Sequence, residues 1–275
     1  MIQSSGLSAT ENPKQLTHDG KPKPEALLSP LRNRVVYTEG CGEKSCTPVV
    51  VIINLQGRRV GSFRPSDQCA VGFSLEWVGR NAIAAECHIN PSLGAYTEAD
   101  VLTGKTTRDL LGNGFTRSPD GQKVAYGGWI PHFAPPYAKS SYLQVEDTVI
   151  YPLPKGMPPI LRRGLKEPPD VIRKARGAYF GIHQFSSRFA WSPDFQRIAL
   201  IDCTYDWTPS HPGAMSAGQG SESKRNCFVV AVSTRGESVI LLRLQDGPMD
   251  PRLVWTNPHQ LSLEIGGTKR NIPVP

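Results

Sequence analysis

The chain has little of what builds helices or membrane spans. Of its 275 residues only 20% are charged and 39% hydrophobic, while glycine and proline number 26 and 25. A helical bundle needs long stretches of Ala, Glu, Leu and Lys with little Pro, so that class is excluded. No apolar run approaches the ~20 residues of a bilayer crossing. The longest, Pro48 to Ile53, has the length of a strand, and no membrane span is expected. The first residues, MIQSSGLSATENPKQ, lack a basic segment followed by an apolar one and do not read as a signal peptide. The chain is then either cytosolic or a trimmed mature form. Also missing are the GxSxG, HExxH, phosphate-cradling and Ca²⁺-loop patterns, and any CxxC or clustered His/Cys spacing. No reaction is announced, and no cofactor or metal is expected. Disorder is excluded by what is present: Val, Ile, Leu, Phe, Tyr and Trp recur in strand-length runs between turn residues. The fold class is all-β.

The net charge of +7 comes from 31 basic and 24 acidic residues scattered along the chain, which reads as a solvated basic surface. Nucleic-acid binding would need a basic stripe with interleaved aromatics. Only Arg162 to Arg176 comes near that, so no nucleic-acid partner is expected.

Internal similarity is the strongest signal. GFTRSPDGQKVAYGGW (Gly114 to Trp129) and RFAWSPDFQRIALIDC (Arg188 to Cys203) share a strand, a Ser-Pro-Asp turn, a basic residue and a second alternating strand. Proline presets the turn dihedral and Asp supplies a local hydrogen bond, so each reads as a β-hairpin. Fainter copies are ALLSPLRNRVVYTE (from Ala26), SLEWVGRNAIAAEC (from Ser74) and RLVWTNPHQLSLEI (from Arg252). With Ser29, Val78, Ser118, Ser192 and Thr256 equivalent, the spacings are 49, 40, 74 and 64 residues. The first two match one propeller blade, and the others need insertions.

These units resemble the TolB-like β-propeller repeats. The resemblance implies a single domain over residues 14–275 after a flexible tail of residues 1–13, most simply five blades of four antiparallel strands; six blades or a β-sandwich are the alternatives. It places the blades' strands from Ala26, Val71, Gly114, Arg188 and Arg252 onwards, with Tyr142–Tyr151 as one strand of the third. The last blade is one strand short. KQLTHDG has the form of an outer strand, so Lys14–Thr17 is expected to complete that blade and close the ring.

In that strand order the six cysteines pair as Cys41–Cys46, Cys69–Cys87 and Cys203–Cys227, all on one face. Three bridges imply an oxidising compartment, hence an exported protein: periplasmic, cell-surface or secreted. The same face carries the long segments Gly127–Ser141, Tyr151–Phe185 and Cys203–Cys227, and long ordered loops in compact domains are commonly functional. Their aromatic and imidazole side chains make the candidate binding surface: Trp129, His132, Phe133, Tyr137, Tyr179, Phe180, His183, Tyr205, Trp207 and His211. The function expected is a monomeric, non-catalytic module binding a protein or polymer, carbohydrate included. The alternative is a glycosidase-like enzyme with carboxylates in a central funnel, drawn from Glu25, Glu76, Asp202, Asp206 and Asp250. Asp120 and Asp194 are assigned to their turns instead.

Overall fold

The structure is a computed structural model and describes residues 15–20, 23, 25–40, 48–66, 69, 71–89, 93–128, 140–153, 158–161, 173–175, 178–186, 188–211, 214, 217–244 and 251–275. Among them every regular element is a β-strand except one turn of 3-10 helix at Ala217–Gln219.

The strands form antiparallel sheets that follow one another along the chain. Sheet I holds β1 (Leu27–Leu28), β2 (Arg34–Glu39), β3 (Val49–Asn54) and β4 (Arg59–Phe63) in that order. Sheet II runs from β5 (Val71–Val78), β6 (Ala82–Ile89), β7 (Leu93–Asp100) and β8 (Thr106–Arg117) into β9 (Val124–Gly127), β10 (Leu143–Val145), β11 (Thr148–Tyr151) and β12 (Ile160–Leu161). It changes direction within β8. Residues up to Gly112 pair with β7, those from Asn113 pair with β9, and the ladder shifts between Asn113 and Thr116 beside Gly114 at φ +65°. Sheet II therefore has a first limb, β5–β8, and a second limb, β8–β12.

Sheet III contains β13 (Arg173–Ala175), β14 (Ala178–Phe185), β15 (Ala190–Trp191), β16 (Arg197–Pro209), β17 (Gly220–Ser233) and β18 (Ser238–Leu244). Both β14 and β15 lie on the same edge of β16, at different heights. Sheet IV is β19 (Arg252–Asn257), β20 (Gln260–Ile265) and β21 (Thr268–Pro273).

Neighbouring units bury their faces against each other. Sheet I and the first limb share Val36, Ile52, Ile83 and Ala99. The two limbs share Ala84, Tyr96, Val124 and Tyr126, the second limb and sheet III share Leu143, Ile150, Ile198 and Val230, and sheets III and IV share Ile201, Val229, Leu261 and Ile272. Each fully buried Leu or Ile there contributes roughly 1.5 to 3 kcal/mol.

The repeated turns are built alike. Ser118 Oγ donates to Asp120 Oδ1 and accepts from the Lys123 amide, at 2.5 and 2.9 Å. Ser192 Oγ does the same with Asp194 and Arg197, at 2.5 and 2.9 Å. At the first copy Ser29 Oγ accepts from the Asn33 and Arg34 amides, each at 3.1 Å. The serine hydroxyl holds the Asp120 carboxyl below the usual carboxylate range.

Three expectations need correction. Tyr142–Tyr151 is not one strand but the hairpin β10–β11, because Glu146 takes a left-handed φ of 51° and its amide and side chain bind the Val124 backbone at 2.9 and 2.8 Å. The Cys203–Cys227 segment is a continuation of β16 and β17 rather than a loop, since buried Tyr205 and Trp207 give it strand alternation. Lys14–Thr17 does not close a ring. Its described residues form no strand, and Leu16 packs with Tyr37, Val51 and Ile53 of sheet I, its carbonyl against Gly57 at φ +76°. No sheet is closed, and no apolar cluster among the described residues joins sheet I to sheet IV.

Disulfides join Cys69 to Cys87 and Cys203 to Cys227, as expected from the strand order. Cys203 and Cys227 stand directly opposite each other on β16 and β17. Cys41 and Cys46 lie outside the described residues.

Candidate functional site

Leading strands of successive units border one cavity of about 1740 Å³. Its wall takes Glu76 and Glu86 from β5 and β6, Asn113 to Arg117 from β8, Gln184 to Ser186 and Arg188 to Trp191 around β14 and β15, and Pro251 to Trp255 at β19. Sheet I contributes none of it. Gly127, Gly128 and Ser141, which flank the 129–140 segment, also line the cavity.

Buried indoles hold this wall together. Trp191 Nε1 donates to the Thr116 carbonyl at 3.0 Å, and Trp255 Nε1 donates to the Ala190 carbonyl at 2.9 Å. Both tryptophans directly precede the turn residue of their repeat, so each ties its own strand to the unit before. The equivalent residue in sheet II's second limb is Arg117. Its guanidinium instead binds Glu98 at 2.6 Å and the Gly121 carbonyl at 2.8 Å, and contacts the Tyr96 hydroxyl. Arg108 meets Glu98 at 2.7 Å and Glu146 at 3.1 Å, giving an ionic seam between the limbs. The equivalent Trp77 has a buried Nε1 without a hydrogen-bond partner among the described residues.

Four charged groups face the cavity without a hydrogen bond or ion pair to another described residue: Glu76, Glu86, Arg188 and Arg252. Glu86 stands opposite Ser74 and Glu76 opposite Ala84, so the two carboxylates are diagonal neighbours on one face. Burial pushes the Glu86 carboxyl up, Arg188 pulls against that, and Glu76 adds to the push.

The sequence-derived residues divide. Trp129, His132, Phe133 and Tyr137 lie outside the described residues. Trp207 is fully buried and clusters with Ile182, Tyr205 and Ala214, with Tyr179 against it, so it supports the β16–β17 extension. Tyr205 also lines the cavity, its ring under Arg225, and burial pushes its hydroxyl up. Lys224 sits over the Phe180 ring, and His211 is exposed at the tip of the extension. His183 is brought to a buried cluster: its Nδ1 lies 2.6 Å from Asp202 Oδ2, which also accepts from Tyr151 Oη at 2.7 Å. Burial, with Asp202 beside it, drives the Tyr151 hydroxyl far up.

Among the described candidate carboxylates only Glu76 lines the cavity. Asp202 is 1% exposed, Asp206 meets Lys224 at 3.3 Å, Glu25 lies elsewhere, and Asp250 is outside the described residues. Glu86 was missed by sequence reasoning, although its position as an exposed residue between buried Ala85 and Cys87 could have marked it. No three His, Cys, Asp or Glu among the described residues are placed to hold a metal ion, and no described helix is long and apolar enough to cross a membrane.

No family model matches the chain, and no curated protein matches it in sequence. Among solved structures, TolB from Acinetobacter baumannii aligns with 96% of this chain and 57% of its own length, at 15% identity and a TM-score of 0.34. The β-propeller domain of the trilobed protease from Pyrococcus furiosus, described as having an open velcro topology, aligns with 90% of this chain and 82% of its own, at 10% identity and a TM-score of 0.32. The tricorn protease aligns with 88% of this chain and 28% of its own, at 12% identity and a TM-score of 0.29. The chain thus spans little more than half the length of TolB. These likenesses carry no argument of their own, and the fold rests on the order and face-to-face packing of the antiparallel sheets.

Proposed function

We propose that this chain is an exported, non-catalytic binding module of five propeller-like units that receives a segment of a protein or other polymer in the cavity bordered by sheets II, III and IV. The cavity carries the reading. At about 1740 Å³ it exceeds the roughly 300–1,000 Å³ of a small-ligand pocket. Its wall mixes the part-exposed rings of Phe115 and Phe185 with charged groups that have no hydrogen bond or ion pair among the described residues. The two disulfides fit an oxidising compartment.

Val254 is 43% exposed and lines the cavity, which makes Val254→Arg the substitution of choice. On peptide and glycan arrays this variant is expected to lose at least about tenfold in binding while its melting temperature stays unchanged, the loss equivalent to about 1.4 kcal/mol. Unchanged binding by the folded variant would remove the cavity from consideration.

A carbohydrate-active enzyme is the second reading, favoured by the Glu76–Glu86 pair. The two stand on one face of adjacent strands beside the cavity, where a carboxylic acid and a carboxylate could flank one glycosidic bond. The raised Glu86 carboxyl suits a proton donor. A panel of chromogenic glycosides decides: hydrolysis abolished by Glu86→Gln supports the enzyme, and no turnover ends it.

A further inference from the structure

The cavity charges that have no hydrogen bond or ion pair among the described residues come from different units according to sign. Glu76 and Glu86 belong to the first limb of sheet II, whereas Arg188 lies just before β15 of sheet III and Arg252 opens β19 of sheet IV. Arg188 influences Glu86 through space but does not close an ion pair with it. Arg252 stands opposite Glu264 in its ladder, again without an ion pair. Arg117, the remaining cation of the wall, is already committed to Glu98. The first limb therefore supplies the wall with carboxylates and the chain around β15 and β19 supplies it with guanidinium groups, with Arg188 near enough to act on Glu86 and Arg117 on Glu76, and Glu76, Glu86, Arg188 and Arg252 can each still take a hydrogen-bonded counter-charge.

Resting on the binding reading above, we propose that the cavity recognises an extended peptide segment carrying charges of both signs, its basic side chain seated at Glu76 and Glu86 and its acidic side chain at Arg188 and Arg252. Partial enclosure favours this pairing. Charges are less screened in a concave wall than on an open surface, and a group left beside a like charge gains most from a counter-charge. Guanidinium groups match carboxylates with two parallel hydrogen bonds, which fixes orientation as well as strength. A segment of a single sign would satisfy one pair of charges and leave the other facing a like charge. The volume of about 1740 Å³ leaves room for several residues of chain.

Three fluorescent nonapeptides of equal length serve as probes in anisotropy titrations: one with two Lys near one end and two Glu near the other, one with the Lys only, one with the Glu only. The two-sign peptide is expected to bind at least tenfold tighter than either single-sign peptide, and to weaken as salt rises. Glu76→Gln with Glu86→Gln should bring it down to the affinity of the Glu-only peptide. Arg188→Gln with Arg252→Gln should bring it down to that of the Lys-only peptide. Equal or tighter binding of a single-sign peptide, no binding of any probe, or indifference to both double variants would overturn the proposal. Array binding that is blocked by Val254→Arg, alongside failure of these probes, would leave the cavity reading standing and reject only the charge assignment. Array binding indifferent to Val254→Arg would reject both.

Discussion

The seam between the second limb of sheet II and sheet III and the seam between the two limbs perform the same task with opposite chemistry. At the first, Trp191 lies buried and donates its indole N–H to the Thr116 carbonyl. At the second, the equivalent residue is Arg117, held by Glu98, which Arg108 also binds. The indole supplies apolar area and one hydrogen bond, and the seam works wherever a carbonyl lies in reach. The ionic seam works only as a set. Burial pulls the Arg117 guanidinium below its ordinary range, and Glu98 is 5% exposed, so each charge depends on the others remaining in place.

The comparison can be broken most strongly at Glu98. Glu98→Ala leaves two guanidinium groups at the seam without their shared carboxylate and is expected to cost about 3 to 5 kcal/mol in urea unfolding; a loss below about 1 kcal/mol would mean that the ionic seam is no more than surface pairing. Next in size is the indole test. Trp191→Phe removes a satisfied donor and should cost about 1 kcal/mol beyond its loss of area, whereas Trp77→Phe removes a buried N–H that has no acceptor among the described residues and should be close to neutral beyond area. Equal effects at the two sites would show that the hydrogen bonds do not distinguish the seams. The smallest effect is at Glu86. Because its folded carboxyl is raised, the folded state holds the proton more firmly than the unfolded one, and ionisation destabilises the fold. Glu86→Gln should therefore match the wild-type melting temperature below the ordinary carboxylate range and gain on it as pH rises through the raised value. A gain that instead appears on acidification would reverse the assigned sign.

What could be read from the sequence follows the range of the interactions involved. The Ser-Pro-Asp turns are legible because Ser118, Asp120 and Lys123 bond to one another within a few residues. The Cys69–Cys87 and Cys203–Cys227 pairs are legible because strand order fixes which ends lie side by side. The docking of residues 14–17 is not legible. The local pattern says that an apolar residue wants cover, and both sheet I and the last sheet could offer it; Leu16 takes the first. The β10–β11 reversal was hidden because Glu146 and Asp147 replace the usual Gly or Asn of a tight turn, and the bonds that hold it come from β9. Tyr205 and Trp207 show the same limit from the other side. Their aromatic character was visible, but whether they face a partner or the interior depended on β14 lying beside β16.

Strand β8 has a mechanical consequence. It serves as the outer strand of one limb and the leading strand of the next without a spacer between them. A pulling force applied across that junction would load backbone hydrogen bonds on both sides at once, and a protease would find no tether to clip. The two limbs are therefore expected to rupture as a single piece, with the rest of the chain yielding first.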